Sequence, residues 1–281
     1  MRSYAGGVSI FESLASWPVD NVSAAVLVGG EQVAVHGDPD RVYELASVTK
    51  PLSAYGVLMA VEEGALELDT PAGPTGATVR HLLAHTAGYA FDTDQIQAEP
   101  GDRRIYSNTG FEELDRVVAR ETGMAFADYL AEGVFAPLSM TATELRGGAG
   151  HAARSTVADL TRFAAELLRP ALLHPDTVTE AQTVQFPGLI GVVPGYGMHR
   201  PNDWGLGFEI RGEKTPHWTG ATNSARTFGH FGQAGTFLWV DPQIDAAAVV
   251  LTDRPFGAWA KPVWPEFSDA VVAAVRAGGP W

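Results

Sequence analysis

From Ser23 the chain reads SAAVLVGGEQVAVHG, two runs of small and β-branched apolar residues on either side of Gly29-Gly30. That pattern predicts an antiparallel hairpin with the glycines in its turn. After Ser47 the spacing changes: Leu52, Tyr55, Leu58 and Met59 form an incomplete helical stripe, which predicts a helix to about Glu63 with Gly64 as its stop. Pro51 is tolerated only near a helix start and so places that start close to Ser47. From about residue 66 to 203 the pattern is mostly helical. TVRHLLAHTAG gives a short helix, and NTGFEELDRVVARETG gives a longer one closed by Gly123. STVADLTRFAAELLRP gives a third, capped by Ser155 or Thr156 and ended by Pro170. Strand patterns return in WGLGFEI, GTFLWVDP and AAAVVLTD, and EFSDAVVAAVRAG predicts a last helix.

Strands first and last, with helices between, predict the α+β class. The economical arrangement is one antiparallel sheet drawn from both chain ends, about 20–40 and 204–253. Helices flank it, the C-terminal one included, and a mostly helical insertion covers about 66–203. No linker-like stretch or internal repeat interrupts the chain, so residues 1–281 read as a single domain, long enough to bury a sizeable core.

Composition narrows the function. A net charge of −14 argues against nucleic acid, whose phosphates would be repelled. The absence of cysteine excludes disulfides, iron–sulfur clusters and thiol catalysis. The start, MRSYAGGVSIFESLASWPVD, carries Glu12 and no unbroken apolar core, so it does not read as a secretion signal. No apolar run approaches a membrane span. The expectation is a soluble, cytoplasmic protein acting on a small molecule.

The lysines are more informative. The 19 Lys and Arg residues include only three lysines, Lys50, Lys214 and Lys261. Lys50 follows Ser47 by three positions at a predicted helix start, which places both on one face. A serine needs a neighbour to take its proton, and a buried lysine can be held neutral where an arginine cannot. Helix dipole, nearby cations and burial would each depress its pKa. Alone, the pair also fits a capping serine with a solvated lysine. Two further stretches contain chemistry. Tyr106 and Asn108 in YSN offer a hydroxyl relay and an orienting amide, and equally fit a half-buried loop. His230 and Gly232 lie ahead of a predicted strand, where a glycine lets a substrate backbone approach; a packed strand-edge histidine is the alternative.

These residues, taken in order, resemble the serine β-lactamase and penicillin-binding superfamily, in particular its class C-like branch of β-lactamases, D-amino-acid peptidases and carboxylesterases. SVTK is similar to the first motif, YSN to the second and HFG to the third. RHLLAHTAGY, PGDRRIYSNTGFEELDRVVARETG, VFAPLSMTAT, ARSTVADLTRFAAELL and WGLGFEI resemble the family's further landmarks in the right order, so the resemblance runs from about Ala24 to Asp253. It implies an acyl-enzyme on Ser47, with Lys50 as base and Tyr106 as proton shuttle. Asn108 would orient them, His230 and Gly232 would contact substrate, and the backbone N–H groups of Ser47 and Gln233 would form the oxyanion hole.

Departures from the family bear on substrate. His230 and Phe231 stand where β-lactamases often carry Lys and Thr, so a fixed charge and a hydroxyl for an antibiotic carboxylate are missing, and His230 is expected to be only partly charged near neutrality. Lys214 in KTP does not replace them, because Pro216 takes the place of the glycine. His81 and His85 have a zinc-pair spacing, but Leu82 occupies the place of the glutamate, and they read as packing. Neither a metal nor an organic cofactor is expected. Trp204, Trp218, Trp239 and Tyr89 are candidate pocket walls with no assigned role. The expected activity is hydrolysis of an ester or amide, with β-lactamase and then D-amino-acid peptidase behind it. A non-catalytic binding protein is the contrasting class.

Overall fold

The computed structural model describes residues 9–279 and Trp281; Met1–Val8, part of the stretch read for a secretion signal, lie outside the described residues. Strands β1 (Val22–Val28) and β2 (Glu31–His36) form the expected hairpin. Gly29 and Gly30 both take left-handed conformations, φ 66° and 89°, which match the twist of the flanking strands. A two-residue strand β3 (Tyr43–Glu44) and a 3-10 turn over Ala46–Val48 lead into helix α1 (Thr49–Glu62). Helices α2 (Val79–Leu83), α3 (Thr109–Thr122) and α4 (Phe126–Leu130) follow, then strands β4 (Glu144–Leu145) and β5 (Ala153–Ser155). Next come α5 (Val157–Leu168) and α6 (Pro175–Ala181), and the small hairpin β6 (Gly191–Val193) and β7 (Gly197–His199). Strands β8 (Glu209–Ile210), β9 (Phe228–Gly232), β10 (Thr236–Asp241) and β11 (Ala246–Thr252) precede the last helix, α7 (Ala260–Ala277).

The main sheet has the order β2-β1-β11-β10-β9-β8 and is antiparallel throughout, so its centre joins the first strand to the last. Both faces are covered, which explains the nearly continuous apolar runs. Ala25, Leu27, Leu238, Val240, Val249 and Leu251 point into the core beneath the helical insertion. The alternate residues Ala24, Val26, Phe237, Trp239, Ala248 and Val250 pack under α7 and the N-terminal segment.

Four expectations need correction. Helix α1 starts at Thr49, and Ser47 sits in the preceding 3-10 turn. The α1 stripe looked incomplete because Thr49 to Ala60 are buried on every side. FGHFG is itself strand β9, whereas a strand was expected only after it; two glycines hid it. Helix α7 begins six residues before Glu266, with Pro262 in its first turn and Pro265 inside it, because Trp264 and Phe267 are anchored in the core against the sheet. The middle region also holds short strands that a helical reading passes over, in the sheet β3-β5-β4 and the hairpin β6-β7.

Candidate active site

The turn carrying Ser47 is pinned from two sides. The Leu45 N–H donates to Ala153 O at 2.9 Å, and Thr236 Oγ1 donates to Leu45 O at 2.8 Å. Ala46, just before Ser47, has φ 46°, a left-handed backbone that costs a non-glycine residue energy and persists only where its surroundings enforce it. Gly232 is part of that enforcement: a Cβ on it would lie 2.2 Å from Leu45 O and 2.5 Å from Thr236 Oγ1. The glycine therefore admits the backbone of the serine turn, a close approach that the sequence pattern did not indicate.

Behind Ser47, Lys50 is fully buried. Its Nζ lies 3.4 Å from Ser47 Oγ, 2.6 Å from Asn108 Oδ1 and 2.8 Å from Gly150 O. A neutral amine has two N–H donors and one lone pair. The two carbonyl oxygens take both donors, which leaves the lone pair for the serine hydroxyl. Burial lowers the Lys50 pKa to about 7, against the charges of Asp92 and Glu112, which raise it. The expected help from neighbouring cations is not what lowers it; desolvation does. Asn108 is itself oriented, because its Nδ2 donates to Asp92 Oδ1 at 2.7 Å.

Tyr106 closes the other side of Ser47. Its ring packs 4.5 Å from Lys50 Nζ and stacks on Phe91. Burial raises the phenol pKa, with the Ser47 hydroxyl opposing, so the group is neutral and carries a proton. The Tyr106 hydroxyl stands 3.5 Å from His230 Nε2. His230 Nδ1 donates to Phe231 O at 2.6 Å, which leaves Nε2 as the acceptor in the neutral ring. Burial, reinforced by the Lys50 charge, pulls the His230 pKa down to about 3. The partial charge expected of His230 near neutrality is thus corrected to none.

Ser47, Tyr106, His230 and Gln233 line one cavity of about 230 Å³, together with Phe91, Trp204 and Glu209. Lys50 and Asn108 lie behind it. Trp204 is the one pocket-wall candidate that reaches this cavity; Trp218 and Trp239 are buried in the core, and Tyr89 is not among the lining residues. Phe91, Asp92 and Gly150 carried no motif signal, and Glu209 entered only as one letter of the WGLGFEI landmark with no role assigned. Glu209 is fully buried, accepting from Lys214 Nζ at 2.9 Å, His217 Nε2 at 3.1 Å and Trp218 Nε1 at 2.6 Å. Burial opposes its charge, but Lys214 and His217 outweigh burial and hold its pKa well below the usual carboxylate range. Only the clustering of a Glu, a Lys and a His within nine residues, after WGLG, could have pointed to it. His85 packs against the Tyr106, Phe111 and Trp204 rings, and among the described residues no group of three or more His, Cys, Asp or Glu is placed to hold a metal.

A sequence model described as Beta-lactamase matches residues 18–272. The solved structure of a beta-lactamase from Mycobacterium bovis is 58% identical, with a TM-score of 0.94 over 95% of this chain and 99% of that one. Simvastatin synthase (LovD) from Aspergillus terreus, 17% identical, shares the fold, with a TM-score of 0.76 over 98% of this chain and 100% of that one. Among curated proteins, penicillin-binding protein 4* of Bacillus subtilis is 29% identical over 139 residues, 38% of this chain and 31% of that protein. The matched segment spans about a third of the length of such curated relatives.

Proposed function

The chain belongs to the beta-lactamase family, and from that premise we propose that it is a serine hydrolase that cleaves a neutral ester through an acyl-enzyme on Ser47. The observation that carries this reading is the setting of Lys50: buried, with its pKa lowered to about 7, and with Nζ bonded to Asn108 Oδ1 and Gly150 O and 3.4 Å from Ser47 Oγ, so that its neutral form commits both N–H groups to carbonyl oxygens and leaves a lone pair for Ser47. Ser47 Oγ attacks the ester carbonyl while its proton passes to Lys50 Nζ. The backbone N–H groups of Ser47 and Gln233 hold the oxyanion. As the C–O bond breaks, the Tyr106 hydroxyl gives its proton to the departing alkoxide and is reprotonated from Lys50. Water then attacks the acyl-enzyme by the reverse route. Asn108 fixes the lysine, and neutral His230 accepts from the Tyr106 hydroxyl at rest, a long contact that gives way when that proton passes to the departing alkoxide.

The choice of a neutral ester rests on charge. Within the catalytic cavity the ionisable side chains are Glu209, which is paired, neutral Tyr106 and neutral His230, so no free cation awaits a carboxylate. A second reading, β-lactam hydrolysis, is favoured by the 58% identical relative whose title calls it a beta-lactamase. Side-by-side hydrolysis of p-nitrophenyl butyrate and a chromogenic cephalosporin by wild type and Ser47→Ala tests both. Ester turnover that vanishes in the variant supports the proposal, and a faster cephalosporin rate would favour the second reading. No difference between wild type and Ser47→Ala on either substrate would overturn the enzyme reading in favour of a binding protein.

A further inference from the structure

Beside the catalytic cavity lies a larger one of about 540 Å³. The two share Phe91, Tyr106 and Pro194 as a common wall. Beyond that wall the surface is apolar, built from residues that include Ile105, Val192 and Met198. Phe91, Val192 and Met198 are 49%, 50% and 68% exposed, three of the few large hydrophobic side chains left open to solvent among the described residues. Scattered exposed apolar residues mean little, but three of them around one cleft that adjoins the candidate catalytic cavity point to a ligand.

Apart from Arg103 at its exposed rim, the cleft has little to offer a charged group. No acidic side chain lines it. Arg104 is buried, with its guanidinium committed to the carbonyl oxygens of Asn202, Ala84, Gln185 and Phe186. Arg103, at the exposed rim, donates to Gln97 O at 2.6 Å. An apolar chain seated here would lose contact with water and gain contact with aliphatic and aromatic walls.

The wall also indicates which part of a substrate enters. Ser47, His230 and Gln233 line only the catalytic cavity, whereas Tyr106 lines both. In the mechanism above, Tyr106 protonates the departing oxygen, so the group attached to that oxygen runs past Tyr106 and Phe91. We propose that the cleft holds the alcohol portion of the ester, an unbranched apolar chain. This rests on the hydrolase reading for its orientation. Transfer of the acyl group to Ser47 breaks the C–O bond, and the alcohol, carrying the proton given by Tyr106, departs through the open cleft, while the proton that began on Ser47 passes through Lys50 to restore Tyr106. The same path then admits the water that attacks the acyl-enzyme.

Two ester series separate this from its alternatives. In the first, acetate is constant and the alcohol grows from ethanol to hexanol, with acid release followed by pH-stat. In the second, p-nitrophenol is constant and the acyl group grows from acetyl to hexanoyl. The first series should rise in kcat/KM by up to about fourfold for each fully buried methylene, and by at least about tenfold overall. The second should rise much less. Met198→Asp should flatten the first slope, lowering the hexyl-to-ethyl ratio at least about fivefold. A flat alcohol series, or an acyl series that is the steeper of the two, would overturn the assignment. Binding provides a readout that does not depend on turnover: Ser47→Ala should bind hexyl acetate at least about tenfold more tightly than ethyl acetate by calorimetry, and Met198→Asp should remove the difference. If no ester is cleaved and this preference is present, the hydrolase reading fails and the cleft stands. If it is absent, the cleft assignment fails.

Discussion

Two lysines are buried in this protein, and their surroundings differ in one respect. Lys50 and Lys214 each meet two oxygen acceptors other than a serine hydroxyl or a carboxylate. For Lys50 these are Asn108 Oδ1 and Gly150 O, and for Lys214 they are Asp203 O and Ile210 O. The third contact differs. Lys214 meets the Glu209 carboxylate at 2.9 Å, whereas Lys50 meets the Ser47 hydroxyl at 3.4 Å. Burial lowers the pKa of both, but at Lys214 the carboxylate opposes it by direct contact. The carboxylate favours the charged form of Lys214, whereas Lys50 has no carboxylate in direct contact, and on the proposed mechanism it serves as the base. The two sites are close, since Glu209 also lines the cavity that contains Ser47.

The largest effect that can break this comparison is on turnover. Lys50→Arg keeps the charge and removes the possibility of a neutral amine, so ester turnover should fall by about a thousandfold or more. A folded, active Arg variant, by circular dichroism and kinetics together, would show that Lys50 is only a cation. Stability should separate the pair next. Glu209→Ala leaves Lys214 buried without its counter-charge and should cost about 3–5 kcal/mol in urea unfolding. Lys50→Met should cost much less, because it removes a group whose protonated form the fold disfavours. The sign can be checked against pH. The unfolded chain holds the Lys50 proton up to its ordinary value of 10.5, whereas the folded site releases it near 7. Between those values the unfolded state binds more protons, so this site makes stability rise as pH increases, and Lys50→Met should remove that rise.

Smaller shifts sharpen the comparison further. Asn108→Asp places a carboxylate against Lys50, imitating the Lys214 environment, and should move the acid limb of the rate profile up by about one pH unit or more. Asp92→Asn should move it slightly the other way, because the Asp92 charge now raises the Lys50 pKa. A profile unmoved by either change would show that the limb belongs to another group.

The sheet was legible because β1, β10 and β11 are sustained apolar runs, and helices α3 and α5 were legible from their amphipathic spacing and their ends, the left-handed Gly123 and the Thr156 cap. Ser47, Tyr106, His230 and Gln233 were brought to one cavity as the motif order implied, with Lys50 and Asn108 behind it. Strand β9 was missed because its two glycines break β propensity, and their reason lies in the packing of neighbouring backbone, which no local pattern records. Lys214 was read only as a failed motif. Its partner Glu209 is five residues away, in a strand whose register, set by pairing with β9, brings the carboxylate inward. The apolar cleft stayed hidden because Val192 and Met198, paired across the short β6–β7 hairpin, meet Phe91 from a distant loop only after folding.

The most direct test of the central claim is the pH dependence of kcat/KM for p-nitrophenyl butyrate in the wild type, measured from pH 5 to 9. A neutral Lys50 acting on Ser47 predicts a one-proton rise centred near 7, where burial places this amine. A flat profile across that range, or a rise already complete at its acid end, would contradict it and remove Lys50 as the base.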